Sequence, residues 1–313
     1  MLAVALTVLY VWLTLVPSKL PADRRVVSVA VSTTGRWIAA GTAKGHIALW
    51  DQRRPAAPAE FHIERGMLND LAFSPDEAFL AVAAGRLDLW PTTAPSGPPR
   101  PLRSDDRNYG TVRFSSDGRT LLTISGNGTI QALDGQSGRT RLTICCSTVY
   151  GEVAFSPDGR LIVNAGHWPA LWDAHTGKLV TRLTKSREFF TFRPIAFDDA
   201  RGWLFMGSQD GRVYAWNVQT GRLMTRSDPQ SDYVDTLTVL KNGAWVAYAG
   251  FGKAVRLWNP DSGEERVLPS ARPTSNMAGG PDGTTLLFGV AQHSIEFWDT
   301  GTGQMRRTLK LPD

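Results

Sequence analysis

Seven times along this chain a turn of the Pro-Asp-Gly type is followed, 13 to 15 residues later, by an apolar residue that closes a short strand. The seven markers are Trp50, Trp90, Leu133, Trp172, Trp216, Trp258 and Trp298, at intervals of 40, 43, 39, 44, 42 and 40 residues. A period of about 41 belongs to stacked or radial repeat units. Each period holds four short apolar strands, none able to bury both faces alone, so each unit must pack on the next. In the clearest copy, alternation points Val153 and Phe155 inward, and Ser156-Pro157-Asp158-Gly159 supplies a turn in which Pro fixes φ and Gly tolerates a positive φ. A second strand runs from Leu161 to Ala165, a third ends at Trp172, and after Thr176-Gly177 a fourth spans Lys178 to Leu183. This is an antiparallel four-stranded meander. Seven such units predict an all-β array, stacked or radial, over residues 26–313; closed radially it would be a seven-bladed propeller built as one domain.

The pattern resembles the WD40 family, whose blades carry a Phe-Ser-Pro-Asp-Gly turn, a Trp-Asp pair closing the third strand and a Thr-Gly turn before the fourth. Phe73-Ser-Pro-Asp76, Phe114-Ser-Ser-Asp-Gly118, Phe155 to Gly159 and Pro281-Asp-Gly283 carry the first element. Trp50-Asp51, Trp172-Asp173 and Trp298-Asp299 carry the second, with Trp216-Asn217 and Trp258-Asn259 close to it. Ser137-Gly138, Thr176-Gly177, Thr220-Gly221, Ser262-Gly263 and Thr302-Gly303 carry the third. The resemblance implies a ring whose fourth-to-first-strand connections open onto a face that receives partners.

The chain departs from the family in three places. The Gly-His pair that opens many family blades is missing at every expected position, and Gly45-His46 lies before a third strand instead. The buried tetrad implied by the resemblance keeps three members in one blade, Ser208, Asp210 and Trp216, so apolar packing is expected to carry the rest. Pro-rich residues 91–101 fall where the second repeat's fourth strand should begin; proline cannot donate to a ladder, which predicts a short or late edge strand there. The last repeat owns a fourth strand, Gln304 to Leu311, so closure of the ring is expected from packing of the first blade against the last.

The net charge of +5 is spread through turns with no run of five basic residues, which predicts no nucleic-acid partner. Cys145 and Cys146 are adjacent, point to opposite faces of a strand and are expected as free buried thiols. Residues 1–25 are set apart: Met1 to Val16 is apolar except for Thr7 and Thr14. As a short hydrophobic helix that run covers about 24 Å, against a hydrocarbon core of about 30 Å. We read it as a single-pass membrane anchor with a short tether. Lys19, Arg24 and Arg25 then place the propeller in the cytosol. A cleaved secretory signal is the rival reading and would export the ring, although the usual basic residues ahead of the apolar run are absent.

A scan for catalytic signatures finds no Gly-x-Ser-x-Gly, His-Glu-x-x-His, Walker loop or Cys-x-x-Cys. No cofactor or metal is implied. Asp228, Asp232 and Asp235 cluster without the spacing of a calcium loop. The candidate partner-binding residues are Arg187, Phe189, Phe190, Tyr233 and Arg107, aromatics and arginines in the connections between repeats and of the types that dominate binding hot spots. The resemblance puts Tyr109, Tyr150 and Phe192 at the family's apolar first-strand position, where they are expected in the core. The reading is a non-catalytic, membrane-tethered platform that binds a protein or peptide along one rim. The alternative is an exported propeller enzyme or ligand-binding sensor with a site in the central channel.

Overall fold

The computed structural model describes residues 25–312, apart from 55–56, 64–65, 104–106, 146–150, 167, 184–191, 241–243 and 292. These residues form seven four-stranded antiparallel sheets, and in each the spatial order follows the chain order. Blade 1 is β1 (Val26–Val31), β2 (Trp37–Thr42), β3 (His46–Asp51) and β4 (Ala59–His62); blade 2 is β5 (Asp70–Phe73), β6 (Phe79–Ala83), β7 (Leu87–Pro91) and β8 (Arg100–Arg103). Blade 3 is β9 (Val112–Phe114), β10 (Thr120–Ile124), β11 (Thr129–Asp134) and β12 (Thr140–Cys145); blade 4 is β13 (Val153–Phe155), β14 (Leu161–Asn164), β15 (Ala170–Asp173) and β16 (Leu179–Arg182). Blade 5 is β17 (Phe192–Asp198), β18 (Trp203–Ser208), β19 (Val213–Asn217) and β20 (Leu223–Arg226). Blade 6 is β21 (Thr236–Val239), β22 (Val246–Ala249), β23 (Val255–Trp258) and β24 (Glu265–Leu268), and blade 7 is β25 (Met277–Gly279), β26 (Thr285–Val290), β27 (Ser294–Asp299) and β28 (Met305–Lys310). All seven markers lie on the third strand of their blade, as the period predicts.

The core is divided among the seams. Seven apolar clusters lie one between each pair of neighbouring blades. Middle strands are therefore buried on both faces, as in Trp37–Thr42 and Thr285–Val290, and read as continuous apolar runs; the outer strands Leu179–Arg182 and Met305–Lys310 are largely exposed. Leu133 is fully buried between blades 2 and 3 and does the work of the missing tryptophan.

The turn residues act through their oxygens. In blade 4, Ser156 Oγ donates to Asp158 Oδ1 at 2.6 Å and accepts from Leu161 N at 2.9 Å, while Asp158 Oδ1 accepts from Arg160 N. Gly159 takes φ +69°, a region costly for other residues. At the other turn, Asp173 Oδ1 accepts from Thr176 N and Thr176 Oγ1, both at 2.7 Å, and from His175 N at 3.1 Å. The aspartate after the tryptophan is thus the cap of the next turn, which is why it is followed by Thr-Gly.

Blade 2 shows the expected late edge strand, since β8 starts only at Arg100. Of the expected three members, Ser208 Oγ accepts from Asp210 N at 3.4 Å, and the other two also take further partners. Trp216 Nε1 donates to Leu183 O at 3.2 Å, and Asp210 accepts from Tyr214 Oη at 2.6 Å. Burial and the Asp210 carboxylate push the Tyr214 phenol up to about 12.

Among the described residues the ring closes without strand exchange, blade 7 keeping all four of its own strands. Val26, Val29 and Trp50 of blade 1 pack with Leu287, Ile295 and Phe297 of blade 7. Asn276 adds a clamp that side-chain packing alone did not predict: its Oδ1 accepts from Val29 N at 2.7 Å and its Nδ2 donates to Val29 O at 2.9 Å.

The expected single-pass membrane placement is corrected. No helix among the described residues is long and apolar enough to cross a membrane. The physical support for that placement was a run of marginal length, about 24 Å against about 30 Å. The apolar segment itself, the hydrophobic N-terminal helix expected for it, and Cys146 lie outside the described residues.

Candidate functional site

Two regions of the ring converge polar and aromatic groups: the channel wall formed by the seven inner strands, and the rim where fourth-to-first-strand connections meet the turns between second and third strands.

On the channel side, the position before the Val-x-Phe-Ser segment of each first strand is Ser28, Asp70, Thr111, Glu152, Pro194, Thr236 or Asn276. In four blades this side chain accepts the backbone N–H of the next blade's following residue. Asp70 takes Val112 N at 3.0 Å, Glu152 takes Ile195 N at 3.3 Å, Thr236 takes Met277 N at 2.8 Å, and Asn276 takes Val29 N at 2.7 Å. Ser28 Oγ donates to Asp70 Oδ1 at 3.4 Å. Arg113 bonds Asp70 and lies 3.9 Å from Glu152. Burial opposes the Arg113 charge, but the two carboxylates prevail and hold its guanidinium above the ordinary value. The channel carboxylates are therefore occupied in binding blades together. Sequence reading missed this belt because its members differ in type; their shared offset from the Phe-Ser turn was the available signal.

On the rim, residues 228–235 connect blades 5 and 6. Gln230 N donates to Gly211 O at 2.9 Å and Gln230 Nε2 donates to Tyr233 O at 2.9 Å, which ties the connection to the neighbouring turn. Asp232 accepts from Tyr233 N and pairs with Lys253 Nζ at 3.4 Å. Asp235 Oδ2 accepts from Phe251 N at 3.0 Å, and the Phe251 ring carries the Arg25 guanidinium at 4.8 Å. The Tyr233 side chain is left 46% exposed on this braced loop. Asp232 and Asp235 thus have separate duties, and no group of three metal-ligating side chains is present among the described residues.

Of the five residues singled out by sequence, Tyr233 and Arg107 are exposed on the rim, in connections three blades apart. Arg187, Phe189 and Phe190 lie outside the described residues, as does Tyr150. Tyr109 is fully buried between blades 2 and 3, as expected of a core residue. Sequence reading missed two rim residues. Trp168, in the turn between β14 and β15, is 47% exposed, with Arg182 5.9 Å from its ring; Met67, in the connection from blade 1 to blade 2, is 65% exposed. Trp168 could have been found, since it stands four residues before the blade's marker, off the repeat position.

The opposite face carries grooves between blades. The one between blades 3 and 4 encloses about 750 Å³ and includes Arg141, Leu142, Phe155, Asp158 and Asp173. Its Asp158 and Asp173 are committed to the turns described above, and hydrogen bonds from Ser156 and from Thr176, respectively, hold both carboxyls below the usual range.

Comparison with known proteins agrees with this architecture. Residues 18–51 match the family described as WD domain, G-beta repeat. The chain is 28% identical over 133 residues to the periodic tryptophan protein 2 homolog of Schizosaccharomyces pombe, covering 39% of this chain and 16% of that protein. It is 27% identical over 199 residues to WD repeat-containing protein 55 of Pongo abelii, covering 60% and 51%. It is 24% identical over 286 residues to cilia- and flagella-associated protein 52 of Macaca fascicularis, covering 86% and 43%. The chain spans at most about half the length of these relatives. They are named for repeats or for a cellular structure, and the membrane placement draws no support from them.

Proposed function

Because this chain belongs to the WD40-repeat propellers, we propose that it is a non-catalytic interaction platform that holds a protein or peptide partner on the rim bearing Trp168 and Tyr233. The observation that carries the reading is that large aromatic side chains stand half-exposed on braced backbone, Tyr233 on the tied 228–235 connection and Trp168 on a turn anchored by Asn164 Nδ2. Rigid aromatics of this kind bind at low entropic cost and supply most of the energy of an interface. Arg107, Arg187, Phe189 and Phe190 extend the same rim in sequence, and the arginines speed encounter with an acidic partner. The channel alternative gains no observation, since Asp70, Arg113 and Glu152 are engaged in joining blades.

The test is affinity capture with mass-spectrometric identification, run in parallel on wild type, Trp168→Ala/Tyr233→Ala and Phe189→Ala/Phe190→Ala. The proposal expects a partner that wild type retains and both variants lose while their melting temperatures stay unchanged. Equal capture by folded variants refutes the rim assignment.

A further inference from the structure

The displaced Gly45-His46 pair has a place in the structure that neither the fold nor the rim uses. His46 opens β3 and His62 closes β4, and the two face each other across the outermost hairpin of blade 1. Ile63 N donates to Gly45 O at 3.0 Å, so the neighbouring Gly45/Ile63 position is the hydrogen-bonded one. His46 and His62 therefore form the alternate, non-hydrogen-bonded pair, where facing side chains come closest. The hairpin end is fixed tightly: Gly45 takes φ +89°, and a Cβ there would lie 2.2 Å from Ile63 Cγ1, a side chain itself buried. Both imidazoles are exposed.

Their ring centres are 4.7 Å apart with planes crossed at 78°. A divalent cation bound by one nitrogen of each ring at about 2.0–2.1 Å sits about 3.2 Å from each ring centre. Ligand angles between about 90° and 109° then set the ring centres about 4.5–5.2 Å apart. The observed separation lies inside that interval. We propose that His46 and His62 form a two-histidine chelating site for a borderline divalent cation such as Cu²⁺, Ni²⁺ or Zn²⁺, fastening the outer edge of blade 1. Imidazole nitrogen suits these ions, whereas Mg²⁺ and Ca²⁺ prefer oxygen. Glu60 shares the face two residues along β4, and water fills the other positions. The same face of β3 carries Ala48 and Trp50, which pack on blade 7, so the cation would sit beside the closing seam.

The test uses the full chain without an affinity tag, titrated by calorimetry with ZnCl2 and with CuCl2. One equivalent should bind, tenfold or more weakly in His46→Asn and in His62→Asn, and unchanged in His175→Asn, a histidine elsewhere on the surface. Electron paramagnetic resonance of the Cu²⁺-loaded wild type should show two nitrogen ligands, a readout that depends on no variant. Absence of binding by wild type, retention of binding by the double variant, or a copper spectrum with a single nitrogen overturns the proposal.

Discussion

Replacing Asn276 by alanine attacks the one seam of the ring that no chain connection holds. The side chain makes two hydrogen bonds to the backbone of Val29, a residue almost wholly buried between blades 7 and 1. Each is worth about 1 kcal/mol net, and leaving the Val29 N–H and C=O partly orphaned adds to the loss, so the variant should be destabilised by about 2–3 kcal/mol. For a chain of this length the unfolding entropy is about 0.6 kcal/mol per kelvin, which converts the loss to about 3–5 °C in melting temperature. Scanning calorimetry reads the shift, and Thr236→Val, which removes the single bond to Met277 N, should cost about 1 kcal/mol on the same scale. Hydrogen exchange locates it: amides of β1, β25 and β26 should lose protection while those of blade 4 keep theirs. An Asn276→Ala protein within about 0.5 kcal/mol of wild type, or one whose exchange rises uniformly, would refute the clamp.

Other expectations follow from the turns and seams. Gly207→Ala should cost about 1–3 kcal/mol, because the new Cβ would lie 2.3 Å from Val234 Cγ1 and 2.7 Å from Pro194 Cγ; Gly159→Ala, with φ +69° and open space around it, should cost about 1 kcal/mol from backbone strain alone, and urea titration separates the two. Leu133→Trp, which restores the repeat's usual marker, should destabilise by about 1–3 kcal/mol, since Leu133 fills a fully packed seam; a stabilised variant would contradict that packing. Acid should weaken the ring through its turn caps. Hydrogen bonds from Thr302 N and then Arg306 lower Asp299 to about 2, and those from Ser137 N and then Arg141 hold Asp134 well below the usual range. Depressed carboxylates stabilise the fold above their unfolded value near 3.8 and lose that contribution as pH falls through the folded one. The Asp134→Asn/Asp299→Asn variant should therefore be less stable than wild type at neutral pH and show a shallower decline between about pH 4 and 2, measured by melting temperature.

What was legible in the sequence was what every blade must repeat. Trp216 and Trp258 recur because each seam needs a large apolar plug, and Asp173 or Asp299 recurs because the following turn needs an acceptor for its N–H groups. Pro91 and its neighbours announced the late β8 because a missing N–H is local information. The belt was not legible, since accepting one backbone N–H can be done by Asp70, Glu152, Thr236 or Asn276 alike. The further partners of Asp210 and Trp216 were not legible for a related reason: polar groups pair in three dimensions, and Trp216 Nε1 reaches Leu183 O while Asp210 takes the Tyr214 hydroxyl. Of the rim, Tyr233 could be chosen from its place in a connection and Trp168 from its place off the repeat, whereas Met67 became visible only once exposure was known.

The most direct test of the platform is a hydrogen-exchange footprint of the full chain with and without its captured partner. The account predicts new protection at the rim, in peptides spanning 66–69, 107–111, 165–169 and 228–235, with the opposite turns at 134–138 and 173–177 unchanged. Protection confined to those opposite turns or to the outer strands would contradict it.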